Sequence, residues 1–361
     1  MRLRTMGKAL GLMVALATAA SAFAGPLDLK QVAGSAKWLA HVDFDAMRES
    51  TVVQKAVAAH KAEHKHAEAH LKMVQALTGI DVCNDLHGAT LYGPEVGKHK
   101  ATIILNAKLN REKLQGWAEK LPGREASEHN DHKISTWTKK HGKHSHTLAT
   151  AWHGELLVLA SSVDELKAAL DVLDGKADSV GSDGALAGSA PAGTTVLMRA
   201  TGIAEAKLPH KDPVAKQTES FRFVVGENDG KSFFRVRAEM TNDEIVGQVK
   251  EIVEGGQALA TIASGKNELK LRLVNGLEVR PKGDTLTLLW SGSADDVWTQ
   301  AQECAKKCAA MKAKMKQHAS ACKQCKQCKE CDKCKKSDKC DKCDAGKDAP
   351  AKDAPSSDEE F

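Results

Sequence analysis

Alternating apolar and polar positions recur along the chain and predict antiparallel strands with helices between them. The segments "KWLAHVDF" and "TTVLMRAT" are predicted as opening strands, "DLHGATLYG" and "ESFRFVVGE" as second strands, and "KISTWT" with "TLATAW" as a hairpin about "KKHGKHSH". After the strand "ELLVLAS", Val163, Leu166, Leu170 and Leu173 recur at helical spacing and predict a helix with one apolar face. The pattern predicts the α+β class, with antiparallel sheets that carry helices on one face.

This order of elements occurs twice. "ILNAKLNREKLQGW" begins at Ile104 and "RVRAEMTNDEIVGQ" begins at Arg235, 131 residues later, and "SSVDELKAAL" and "GSADDVWTQA" are separated by the same offset. In the second copy, "KLRLVNGLEVRPKGDTLTLLW" is predicted to repeat the late hairpin. Ser162 and Ser293 fall in register as helix N-caps. A constant offset predicts an internal duplication, and we expect two ferredoxin-like sandwiches.

Residues 1–24 have the pattern of a secretory signal. Arg2, Arg4 and Lys8 form a basic start, the apolar run "ALGLMVALATAASAFA" follows, and small residues precede Gly25. The alternative is a membrane anchor, but the apolar run is short for one. We expect export to the periplasm or the extracellular space, with no integral membrane segment after the signal is removed.

The remaining chain is predicted to contain two folded units and a tail. The first unit covers residues 25–178 and includes an additional long helix at 50–78. A stretch rich in Gly, Ala and Ser, 173–194, joins it to the second unit at 179–303. Residues 304–361 begin as a helix rich in Cys and Lys and continue as a tail with few bulky apolar residues, which we expect to be disordered.

Charge and aromatic content exclude one class of partner. The full chain carries a formal charge of +5, and removing the three basic residues of the signal leaves 49 basic and 47 acidic side chains. Aromatic residues make up 4% of the chain. A nearly balanced charge and so few stacking side chains argue against nucleic acid as a partner. No protein partner is indicated.

The tail carries the strongest chemical signal. Its nine cysteines, many at C-x-x-C spacing, are Cys304, Cys308, Cys322, Cys325, Cys328, Cys331, Cys334, Cys340 and Cys343. A C-x-x-C pair directs two thiolates to one tetrahedral ion, and soft ligands select Zn²⁺ or Cu⁺. Cys alternates with Lys as in metallothioneins, but C-x-C is absent, so isolated four-thiolate sites are expected. Disulfide pairing within an exported tail, or a plain tether, are the alternatives. Cys83 is predicted to be a small buried residue.

Histidines supply a second group of candidate ligands. "HKAEH" matches the H-x-x-E-H motif of inverted zinc proteases, so a metal-dependent hydrolase that uses His60, Glu63 and His64 is an alternative. A further cluster lies near the predicted hairpin, and its members are His129, His132, His141, His144 and His146. The last three flank a lysine-rich turn that would bind a divalent metal loosely, or would simply be solvated.

Several segments resemble one protein family. "LAHVDFDAMRES", "DLHGATLYG", "VDELKAALDVLDGK" and "PAGTTVLMRATG" resemble an uncharacterised family of exported proteins of planctomycete-type bacteria over residues 36–300. The resemblance implies export and a duplicated α+β body, and it transfers no functional residue. Together the patterns predict an exported, non-enzymatic protein whose tail binds Zn or Cu ions. The alternative is a periplasmic ligand-binding or interaction module with a disulfide-linked tail.

Overall fold

The computed structural model describes residues 26–63, 67–97, 100–141, 144–181, 184–207 and 212–324. The predicted signal segment and the predicted disordered tail from residue 325 onward lie outside the described residues. The chain divides into a body, residues 1–300, and a C-terminal unit, residues 301–361.

The strands of the described body form one large sheet. Their order is β11-β12-β10-β9-β8-β1-β2-β3-β7-β6-β5-β4, and every pairing is antiparallel. The strands are β1 Trp38–Asp43, β2 Leu86–Gly93, β3 Thr102–Ala107, β4 Arg124–His129, β5 His132–His141, β6 His144–His153, β7 Leu156–Ala160, β8 Thr194–Thr201, β9 Thr218–Asn228, β10 Lys231–Met240, β11 Leu277–Lys282 and β12 Thr285–Ser293.

Eight α-helices are present in the described residues, and the last of them runs past residue 300. They are α1 Phe44–Glu49, α2 Thr51–Glu63, α3 Ala67–Thr78, α4 Arg111–Lys120, α5 Val163–Leu173, α6 Asp243–Ser264, α7 Glu268–Asn275 and α8 Ala294–Gln324. Helices α2 and α3 fall within the predicted long helix 50–78, on either side of residues 64–66. Among the helices of the described residues, none is both long and apolar enough to cross a lipid bilayer.

The α+β class with a large antiparallel sheet is confirmed, and the two predicted units share that sheet. β1 pairs with β8 near the middle of the sheet, where Ala40 lies opposite Met198. On one side of this pair the order continues β2-β3-β7-β6-β5-β4, and on the other side it continues β9-β10-β12-β11. Ser162 and Ser293 each lie immediately before a helix, α5 and α8 respectively.

The prediction that helices lie on one face is wrong for the first half of the sheet. Leu166 and Leu170 of α5 are fully buried in a cluster that includes Ile134, Ala151 and Val158. Burying one such leucine contributes about 1.5–3 kcal/mol. Because side chains alternate along a strand, the residues next to Ile134 and Ala151 face the opposite side, where Trp137, Leu148 and Trp152 lie under α4. Because β5 and β6 carry apolar residues at both odd and even positions, a helix covers each face of this part of the sheet.

The second half also corrects one predicted strand. The segment "KLRLV" was expected to begin a hairpin, but it lies in α7, and the hairpin is formed by β11 and β12. Asn267 starts the helix, because its side-chain oxygen accepts a hydrogen bond from the backbone N–H of Lys270 at 3.0 Å. Nearby, Val246 of α6 packs into a small core with Met240 and Leu286.

Candidate metal centre

Three side chains of the body converge at one end of the β5-β6 hairpin. His132 is the first residue of β5, His153 is the last residue of β6, and Asp174 is the C-cap of α5. The antiparallel register, with Ser135 opposite Thr150, brings the two histidines side by side, with ring centroids 5.3 Å apart. Strand alternation puts both on the face that α5 covers, so the end of that helix delivers the carboxylate between them.

A tight turn fixes where β5 begins. Asn130 and Asp131 have φ values of 49° and 65°, and they join His129 of β4 to His132 of β5. Two residues at positive φ form the turn that matches the twist of a hairpin, and Asn and Asp tolerate it well. The Asn130 side chain donates a hydrogen bond to Asp171 at 2.6 Å, which ties the turn to α5.

The distances within the cluster are short. His132 Nε2 lies 2.9 Å from Asp174 Oδ1, and His153 Nε2 lies 3.3 Å from the same oxygen. One potential ligand atom from each residue lies within 4.8 Å of the others, and among the described residues this is the only group of three or more His, Cys, Asp or Glu with that property. All three side chains are partly buried, with exposures of 19% for His132, 28% for His153 and 16% for Asp174.

Both ring nitrogens of His132 face acceptors. Nδ1 lies 3.1 Å from the carbonyl oxygen of Trp152, and Nε2 lies 2.9 Å from the Asp174 carboxylate. A neutral imidazole carries one N–H and can donate to only one of these two groups. Both contacts are favourable together only if His132 takes a second proton, or if Nδ1 donates and a cation binds at Nε2.

The donor set fits a zinc ion. Imidazole nitrogens and carboxylate oxygens are ordinary Zn²⁺ ligands. Ligand atoms ~2.1 Å from a tetrahedral ion lie roughly 3.4 Å apart; the 3.3 Å between His153 Nε2 and Asp174 Oδ1 matches this, whereas the 2.9 Å between His132 Nε2 and Asp174 Oδ1 would have to widen. A ligating histidine commonly donates its other N–H to a backbone carbonyl, and the Trp152 carbonyl lies within reach of His132 Nδ1. Three protein ligands would leave one position open.

The electrostatics of Asp174 favour its charged form. The contact with His132 lowers the pKa of the Asp174 carboxyl, partial burial opposes this, and Lys176 lowers the pKa further. Lys176 Nζ lies 3.4 Å from Oδ2, so Oδ1 is the oxygen directed at the two histidines. A second histidine–carboxylate contact lies beside the cluster, between His129 Nε2 and Asp171 Oδ1 at 2.8 Å.

The histidines singled out in the sequence are placed differently. His60 and Glu63 are exposed on α2, whereas His64 lies outside the described residues. The backbones of His141 and His144 pair at the end of the β5-β6 hairpin, but the structure does not describe their side chains. His146 is exposed. The described part of the chain gives the H-x-x-E-H motif no three-ligand cluster.

The cysteine predictions fall mostly outside the described chain. Cys304 and Cys308 are exposed on α8. Cys322 is described only as helical backbone. The remaining predicted ligands, Cys325, Cys328, Cys331, Cys334, Cys340 and Cys343, lie outside the described residues. The prediction that Cys83 is buried is wrong, because it lies exposed in the turn after α3, where its N–H donates to Asp81 Oδ1.

The sequence reasoning missed two members of the cluster. It grouped His132 with neighbouring histidines, but it did not select His153 or Asp174. A signal was present, because the two histidines lie at equal distances from the centre of the predicted hairpin, one on each strand. The approach of Asp174 depends on how α5 packs on the sheet, which the local pattern does not encode.

Comparison with known proteins adds little to this geometry. No protein-family model and no curated protein matches the chain. Among solved structures, crystal forms III, I and IV of TP0453 match at 8% identity, with TM-scores of 0.40, 0.39 and 0.39. They cover 76%, 76% and 78% of this chain and 97%, 96% and 99% of their own. A likeness at this level carries no conclusion about the family or function of the chain.

Proposed function

We propose that this chain is an exported, non-enzymatic protein that binds borderline or soft metal ions, at His132, His153 and Asp174 in the body and at thiolates in the tail. The observation that carries the body site is the contact between His132 Nε2 and Asp174 Oδ1 at 2.9 Å. A cation bound to His132 Nε2 and Asp174 Oδ1 would leave the single N–H of a neutral His132 on Nδ1, where it can donate to the Trp152 carbonyl, so both contacts would be satisfied at once.

The tail site rests on the sequence alone. Seven cysteines lie between residues 322 and 343, mostly at C-x-x-C spacing, and lysines separate many of them. Thiolates favour Zn²⁺ and Cu⁺, while an imidazole–carboxylate site accepts Zn²⁺ and other borderline divalent ions. The two sites would therefore differ in preference, which allows them to be measured separately.

The competing explanation for the body site is an ion pair between protonated His132 and Asp174. Zinc titration of the exported chain with serine at all nine tail cysteines separates the two explanations. We expect about one equivalent of Zn²⁺ to bind, and we expect the His153→Ala variant to lose it, because His153 supplies a nitrogen ligand. The matched control is His146→Ala, an exposed histidine on the same strand, which should retain binding.

The readout is calorimetry, together with X-ray absorption of the bound zinc, which should show nitrogen and oxygen ligands only. If the chain without tail cysteines binds no Zn²⁺ at micromolar concentrations, or if His153→Ala binds as tightly as the control, the cluster is an ion pair. The hydrolase alternative is tested separately. If the chain catalyses a zinc-dependent hydrolysis that the Glu63→Gln variant has lost, the protein is an enzyme and the non-enzymatic proposal is wrong.

We further propose that the body arose by duplication of one ferredoxin-like unit, and that the chain belongs to the exported family its segments resemble. Two observations support the duplication: the 131-residue offset of the matching segments and the similar strand order outward from the β1-β8 pair. An experimental structure in which residues 100–173 and 231–302 failed to superpose would contradict it.

A further inference from the structure

A cavity of about 370 Å³ lies between α4 and the sheet face opposite the metal cluster. Its floor comes from alternate residues of β5 and β6, and its roof from α4 and Leu121. We propose that this cavity binds a small organic anion with a flat apolar body. The volume falls in the range of pockets that bury small organic molecules.

The walls suit a flat apolar group. Trp137 and Trp152 line the floor; Leu148 lies opposite Trp137 in the ladder, and Thr150 lies between Leu148 and Trp152 along β6. Leu148 and Leu121 remain 45% and 53% exposed, so a ligand that covers them removes apolar surface from water. Arg111, the first residue of α4, places its guanidinium 5.5 Å from the Trp152 ring centroid, a cation–π contact that holds the ring.

The polar lining favours a negative charge. Arg124 and Lys133 both line the cavity, against one acidic residue, Glu119. Arg124 Nε donates to Ser135 Oγ at 2.9 Å, which holds the guanidinium along the floor with its terminal nitrogens available to a carboxylate. A planar fork of donors beside an indole surface matches an aromatic carboxylate better than a neutral or cationic ligand.

One donor at the wall has no acceptor. The indole N–H of Trp137 is buried and makes no hydrogen bond to any residue the structure describes. Leaving such a donor unpaired costs about 1–3 kcal/mol; because the nitrogen has almost no accessible surface, a ligand oxygen would reach it only if the indole turned, and that turn would be favoured by the new hydrogen bond. This is an observation independent of the cavity and of its charge.

Three probes that share a naphthalene ring and carry a negative charge, no charge or a positive charge test the proposal on the unmodified exported chain. The probes are 2-naphthoate, 2-naphthamide and 2-naphthylmethylamine, measured by calorimetry. We expect naphthoate to bind at least about tenfold more tightly than the amine, since the amine places its charge beside two cations. Equal affinities, or no binding of naphthoate at millimolar concentration, would overturn the proposal.

Substitutions locate the binding. Arg124→Met should weaken naphthoate binding about tenfold and Lys133→Met about threefold, with naphthamide little changed. The control is Lys282→Met, an exposed lysine at the other edge of the sheet, which should change nothing. Because Lys133 is exposed, its variant will fold even if Arg124→Met does not. An equal effect of Lys133→Met and the control would place the site elsewhere and refute the assignment.

The Trp137 indole N–H gives a direct reporter. The chain has six tryptophans, and ¹⁵N-indole labelling with the Trp137→Phe variant assigns the relevant resonance. Naphthoate should shift that resonance more than the other five. A resonance that stays fixed while naphthoate binds would show that the ligand does not occupy this cavity.

Discussion

Glu227 caps the first turn of helix α2 across the sheet: its Oε1 accepts a hydrogen bond from the backbone N–H of Thr51 at 2.8 Å. Its Oε2 accepts from the Val52 N–H at 3.2 Å and from the Ser50 hydroxyl at 2.7 Å. Burial raises the pKa of Glu227, but the hydrogen bonds from Thr51, Ser50 and Val52 outweigh it, so the pKa is lowered. A residue at the end of β9 thus orders the start of the helical insertion in the other half of the sheet.

Replacing this carboxylate should destabilise the body. We expect Glu227→Gln to cost about 1–2 kcal/mol of unfolding free energy, because an amide supplies one acceptor where the carboxylate supplies two and lacks the charge that favours a helix N-terminus. Glu219→Gln, an exposed glutamate on the same strand, is the control and should be nearly neutral.

Urea unfolding across pH checks the charge. Because the folded pKa of Glu227 lies below its unfolded value, its stabilisation is present at neutral pH and is lost as pH falls through the folded pKa. The difference between wild type and Glu227→Gln should therefore shrink in acid. A difference that stays constant down to the lowest pH measured would show that the charge plays no part.

Gly193 should tolerate no side chain. Its φ is +72°, and a Cβ there would lie 2.0 Å from the carbonyl oxygen of Glu227, a backbone atom that cannot rotate away. Gly230 has a similar φ, +70°, but nothing within 4 Å of the added Cβ. Gly230→Ala should therefore cost about 1–2 kcal/mol for backbone strain alone. Gly193→Ala should lower the free energy of unfolding clearly more than Gly230→Ala does. Equal urea midpoints for the two variants would refute the steric argument.

The His132–Asp174 contact predicts a second pH dependence. The pKa of Asp174 is lowered first by His132, so its charge stabilises the fold above the ordinary aspartate range and ceases to do so as pH falls through the folded pKa. In metal-free protein, Asp174→Asn should lower stability at pH 6, and the loss should vanish at strongly acidic pH. Glu155→Gln, in the exposed turn between β6 and β7, is the control. Unfolding curves that separate by the same amount at every pH would contradict the prediction.

Local patterns predicted many of the strands and helices, because strand alternation and the apolar stripe of α5 depend only on residues close together in the sequence. Leu166 and Leu170 are predicted on one face and are both fully buried. The pattern fails where two periods coexist: Leu269, Leu271 and Leu273 alternate like a strand, yet the cap at Asn267 starts a helix.

The order of strands is not local either. β3 pairs with β7, about fifty residues later, which neighbouring residues do not encode. The candidate site also depends on packing between elements, because α5, which follows β7, lies against β6 and brings Asp174 to His132 and His153. Sequence spacing could select the histidines as ligands but could not supply the carboxylate.

The tail makes the sharpest test of metal binding, and its outcome is independent of the body site. Serine at Cys325, Cys328, Cys331 and Cys334 should remove most of the tail-bound metal, since these four form an unbroken C-x-x-C run. Thermal unfolding of the body should change little, because the two hydrophobic cores of the described body, around Leu166 and Val246, contain no cysteine. Ligation by thiolates releases protons, so metal affinity should fall as pH is lowered through the range in which cysteines protonate.

Elemental analysis and thiol titration of protein taken from the exported fraction without reduction provide the measurement. Bound zinc or copper, with thiols that react only after a chelator is added, is the expected result. Exported proteins also meet oxidising conditions, in which neighbouring cysteines pair readily. If the chain carries no metal and every tail cysteine is oxidised in pairs, the tail is a disulfide-linked tether. The metal proposal would then rest on His132, His153 and Asp174 alone.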